Sequence, residues 1–142
     1  MNPSAQKQTQ FLIFGSFVTF VVLLTAVGST LGTRANPQSA VQAMAHGIAL
    51  IAAAACVLWA TYRLNLRREV GGTPELPEPA RFQADLLVAL ALGELPTLVG
   101  FVFASSGAVA KMLSFLLISL GCFGFILPKL LEYWRLRDRQ QT

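Results

Sequence analysis

The chain is poor in charge. Of its 142 residues, 13% are Asp, Glu, Lys or Arg, against about 25% in a soluble domain. It has one histidine, His46, which excludes a bis-histidine haem within one chain. The two cysteines, Cys56 and Cys122, form no CxxC or CxxCH pattern and fall inside apolar runs. They read as small buried hydrophobes rather than zinc ligands. No nucleophile–base pair, phosphate-binding loop or metal-ligand cluster can be read from the sequence, so no enzyme, no cofactor and no metal are expected. The polar stretches are too short for a separate soluble domain.

What is abundant is apolar chain. Hydrophobic residues make up 54%, gathered into four long runs. A run of about 18 or more such residues reads as a transmembrane helix. The expected fold is therefore an all-α, polytopic integral membrane protein with four transmembrane helices, at about 11–33, 41–62, 82–104 and 108–131. Residues 63–81 form the one long loop, with Arg67-Arg68, Gly71-Gly72 and Pro74, Pro77 and Pro79. Met1 to Gln10 reads as a loosely ordered polar tail, and Glu132 to Thr142 as a frayed helix in water. A signal peptide has an apolar region of about 7–15 residues; the first run is longer and reads as an uncleaved helix.

Asn36-Pro37 marks a turn, as does Ser105-Ser106-Gly107. Pro128 is expected to kink or loosen the last turn of the fourth helix. Gly28 and Gly32 make a GxxxG. In the second helix Ala45, Ala49 and Ala53 recur every four residues, as do Ala52, Cys56 and Ala60. In the third, Ala89, Gly93 and Thr97 do the same. Small residues at that spacing let a neighbouring backbone approach. Several such faces predict a homo-oligomer or other membrane subunits as partners. His46 reads as an interfacial hydrogen-bonder, with a proton-relay role as the second reading.

The net charge of +4 comes from cations at helix ends, so the bilayer, and no nucleic acid, is the expected partner. Nine cations share one side: Lys7, Arg63, Arg67, Arg68, Arg81, Lys129, Arg135, Arg137 and Arg139. Two, Arg34 and Lys111, share the other. The positive-inside rule then places both termini and the long loop in the cytoplasm, in the cell inner (plasma) membrane. Trp59, Tyr62, Tyr133 and Trp134 fall at that interface as an aromatic belt.

One residue breaks the apolar pattern. Glu94 lies near the middle of the third helix, and a carboxyl group at membrane depth is a functional-site hypothesis by default. No Lys, Arg or His shares its depth; Thr19, Ala54 to Cys56 and Ser119 to Phe123 do. An unpaired carboxylate in hydrocarbon takes up a proton rather than stay charged. Pro96 has no amide hydrogen, so the Leu92 carbonyl loses its helical donor. With Thr97 one turn on, Glu94, Thr97 and the Leu92 carbonyl are the candidate ion-binding groups, and Pro96 the kink. Gly93 and Gly100 are candidates for close packing. The rival reading is structural: a protonated Glu94 donating to a neighbouring helix.

This segment resembles the ion-carrying helix of the c subunit (proteolipid) of rotary ATP synthases. Glu94, Pro96 and Gly100 fit that helix's carboxyl residue, the proline soon after it and the glycine six residues on. The small-residue helix, cytoplasmic loop and carboxyl helix also follow in the c-subunit order. The second helix lacks the repeated GxGxG, the loop lacks the Arg-Gln-Pro or Arg-Asn-Pro signature, and two helices flank the hairpin. The chain also looks like small four-helix bacterial membrane proteins whose third helix carries this element. The resemblance implies a proton- or cation-binding carboxyl group. Small four-helix multidrug transporters carry their glutamate in the first helix, which here has no charge. A non-catalytic accessory subunit or assembly factor is the alternative.

Overall fold

The computed structural model describes residues 3–32, 39–65, 69–70, 73–74, 76–107 and 111–140. Four long helices account for nearly all of them: α1 (Pro3–Gly32), α2 (Ser39–Arg63), α3 (Pro79–Ser105) and α4 (Leu113–Gln140). Each is long and apolar enough to cross a membrane. A helix of 18 or more apolar residues satisfies its own backbone groups, which hydrocarbon cannot do. The chain is an all-α, multi-pass membrane protein. The long loop holds one short antiparallel ladder, β1 (Glu69–Val70) against β2 (Thr73–Pro74), with Glu69 opposite Pro74. The predicted Asn36-Pro37 turn, Arg34, Arg67-Arg68 and Gly71-Gly72 lie outside the described residues.

The helices pack as a rhombus. α3 and α4 touch each other, and each touches both α1 and α2, while α1 and α2 do not meet among the described residues. Outward faces are apolar, with Leu12, Leu23, Ile51, Leu58, Val102 and Leu117 exposed, as lipid-facing surface should be. Inside, small residues set the spacing. A Cβ on Gly100 would sit 2.5 Å from the Phe115 ring, and one on Gly93 would sit 3.0 Å from the Phe123 ring. Ala45 and Ala49 are buried against Phe115. The small-residue faces of α2 and α3 are thus filled by the chain's own helices. Gly28 of α1 is likewise covered by Met112.

Both ends of the chain are more ordered than the sequence implies. α1 begins at Pro3, not near residue 11, and α4 runs to Gln140 through Pro128. The reason is mutual packing. Lys7 Nζ lies 2.7 Å from Asp138 Oδ2, and buried Trp134 donates its indole N–H to Gln10 Oε1 at 3.0 Å. Tyr133 stacks on Phe82 at 3.8 Å between ring centroids, and its hydroxyl donates to the Pro77 carbonyl at 3.2 Å. Tyr133 and Trp134 are therefore core residues rather than belt anchors; Tyr62 is exposed. These contacts gather the start of α1, the end of α4 and the approach to α3 at one end of the bundle.

Candidate functional site

α3, like α4, touches all three other helices. One flank meets α2, where Cys56 Sγ donates to the Ala89 carbonyl at 3.3 Å and Trp59 Nε1 to the Asp85 carbonyl at 3.1 Å. The next face meets α4 through Gly93, Thr97 and Gly100. Successive helical residues are rotated by about 100°. Glu94 follows Gly93 in the direction away from Ala89, so it lies on the remaining flank, towards α1. It is half-buried and sits two residues past the midpoint of this 27-residue helix. Over this stretch α1 turns Phe14, Phe17, Val18 and Val21 inward, none of which offers a polar side chain. Among the described residues the Glu94 carboxyl has no hydrogen-bond or ion-pair partner.

Pro96 is buried inside α3. Its missing N–H interrupts the backbone ladder, and one residue later α4 supplies an acceptor for the next amide. The Thr97 amide donates to Ser119 Oγ at 3.2 Å. The Thr97 and Ser119 hydroxyls are 2.9 Å apart, and Thr97 Oγ1 lies 3.4 Å from the Phe115 carbonyl it donates to. Both side chains are fully buried. The Thr97 hydroxyl is thereby engaged with α4, and no hydrogen bond joins it to Glu94. Of the candidate groups, Leu92 lies one turn and Glu94 two residues before Pro96 on α3, and the structure gives Thr97, Gly93 and Gly100 to helix packing. Ser119 shares the depth of Glu94 by residue count. Its pairing with Thr97 needs the rotation of α4, which counting does not supply.

At the opposite end of the bundle His46 makes the interfacial bonds expected of it. Its Nδ1 is 2.8 Å from the Gln42 carbonyl, which can only accept, so Nδ1 carries the hydrogen. Its Nε2 lies 2.8 Å from the Ser114 hydroxyl. The ring lies 4.4 Å from that of Phe115. This links α2 to the first turn of α4. No cluster of three or more His, Cys, Asp or Glu side chains that could hold a metal ion occurs among the described residues. In comparisons with known proteins, no family, no curated protein and no solved structure matches this chain.

Proposed function

We propose that this chain is a c-subunit-like membrane component that binds a proton or small cation at Glu94, within an oligomer or larger complex. The observation that supports it is a carboxyl group at mid-span with no partner among the described residues. An ionised carboxylate is expensive to keep in hydrocarbon. Without an internal donor or cation it is stable there as the acid, or bound to an ion. The structural alternative needs Glu94 to donate to a neighbouring helix, and no such acceptor stands by it among the described residues. Its half-buried position on the α1 flank keeps it reachable from the bilayer side.

The nine-to-two partition of cations supports an orientation with both termini and the long loop cytoplasmic, in the inner (plasma) membrane. The same half-exposure of Glu94 favours a second reading, an accessory subunit whose Glu94 meets a cation on a partner. The test is labelling in native membranes with a hydrophobic carbodiimide, which attacks protonated carboxyl groups shielded from water. Selective modification of Glu94, abolished in Glu94→Gln and slowed by an ion that competes for the site, is the expected result. A carboxyl group that stays unlabelled in the intact membrane overturns the carrier reading and leaves the accessory one.

A further inference from the structure

α1 carries a groove near its start. It has a volume of about 500 Å³ and is lined by Lys7, Gln8, Phe11 and Leu12. These positions follow one another as i, i+1, i+4 and i+5, so they share one helix face. The two polar residues stand at the water end, and the two apolar ones lie about 6 Å deeper at the rise of a helix. Gln8 is exposed and Leu12 is 71% exposed, so the bundle leaves the groove open on its outer side. Phe11 is partly buried against the core. Lys7 is held in place: its Nζ lies 2.7 Å from Asp138 Oδ2 and 6.0 Å from the centre of the Trp134 ring. An ammonium has three N–H donors, and this ion pair does not use them all. The surroundings stay positive, with Lys7, Arg135, Arg137 and Arg139 at this end of α1 and α4 against Glu132 and Asp138. Lys7 precedes the apolar run that begins at Phe11, which sets it at the depth of the lipid headgroups.

We propose that this groove binds one anionic phospholipid of the surrounding leaflet, with its phosphate against Lys7 and an acyl chain along Phe11 and Leu12. The order of parts in such a lipid, charge outside and hydrocarbon within, is the order of residues in the groove. A free phosphate would meet the same lysine and leave the apolar half of the groove empty. A zwitterionic lipid would bring a cation of its own to a site already rich in them. A second copy in the same orientation would bring its own positive end to the same depth and be repelled. The proposal does not depend on what Glu94 binds.

The experiment uses the full-length chain in a mild non-ionic detergent, given equal amounts of phosphatidylglycerol and phosphatidylcholine with the same acyl chains. Native mass spectrometry counts the lipids retained. The expected result is one phosphatidylglycerol kept about fivefold better than phosphatidylcholine, the preference one lysine gives near an anionic lipid surface. Added salt should weaken that preference. Gln8 is exposed, so charging it leaves the bundle intact. Gln8→Glu should remove the preference and Gln8→Lys should raise it. Asp138→Asn, which releases the Lys7 charge, should raise it too, and Lys7→Gln should abolish it. Equal retention of the two lipids overturns the proposal. A preference that survives both Gln8→Glu and Lys7→Gln overturns the groove as its place. Inorganic phosphate that displaces the lipid at equal concentration overturns the lipid in favour of a free anion. A dimer that excludes phosphatidylglycerol overturns it in favour of a second copy.

Discussion

The amide of Thr97 donates to the hydroxyl of Ser119 at 3.2 Å, one residue after a proline has interrupted the ladder of α3. The weakest point of the central helix is thus braced by a side chain from another helix. Ser119→Ala should cost the bundle about 0.5–2 kcal/mol, the range for intramembrane hydrogen bonds. Thr97→Val, which keeps the amide but removes the hydroxyl, should cost a similar amount, and the double variant less than the sum. Unfolding in mixed micelles measures all three. Full additivity would show that the two side chains do not act together.

Glycine substitutions should rank by the space the structure leaves. A Cβ on Gly100 meets the Phe115 ring at 2.5 Å, one on Gly93 meets Phe123 at 3.0 Å, and one on Gly121 meets nothing within 4 Å. Gly100→Ala should lose about 1–3 kcal/mol, as overpacking does. Gly93→Ala should lose less, and Gly121→Ala should be neutral or slightly stabilising. Any other order in thermal unfolding contradicts the α3–α4 packing.

Glu94→Leu should fold as well as the wild type or better, because the carboxyl group has no partner to lose among the described residues. A fall of about 0.5–2 kcal/mol would reveal an intramembrane hydrogen bond that the isolated bundle lacks. This stability measurement is separate from carbodiimide labelling, which reads the chemistry of the group.

Trp134→Phe should be costly and rescuable. It takes the indole donor from the Gln10 oxygen, and the Gln10 amide nitrogen already has no partner. A wholly unsatisfied buried amide costs about 1–3 kcal/mol, whereas replacing both members by apolar groups is nearly neutral. Adding Gln10→Leu to Trp134→Phe should therefore restore most of the loss. A double variant as unstable as the sum of the single ones would contradict it.

Reporters fused after Thr142 and inserted near Gly71 should both give cytoplasmic signals. The bias of nine cations to two motivates this. A periplasmic signal from either one reverses the orientation and removes the parallel with the c-subunit hairpin.

The number and approximate place of the four helices were legible in the sequence, because hydrocarbon length imposes a run length that composition alone reveals. Glu94 stood out for the same reason. The ends were misjudged. Lys7 and Gln10 look like a soluble tail until Asp138 and Trp134 are brought beside them from the far end of the chain. Tyr133 and Trp134 are aromatic residues at a membrane end, and position along the helix does not say whether they face lipid or Phe82. The same holds for the small residues of α2 and α3. Their spacing shows that a backbone comes close, and only the packing shows that it belongs to the same chain.

The rhombic arrangement also sets an order in time. A chain emerging from the ribosome delivers α1 and then α2 to the bilayer, and the backbones of these two do not come close to each other among the described residues. Until α3 arrives they are separate passengers. α3 is the first segment able to hold both, and α4 then closes the two seams on its other side. A nascent chain stopped within the long loop should leave α1 and α2 unpacked and held only by the chain between them, whereas one released after Ser106 should hold α1, α2 and α3 together.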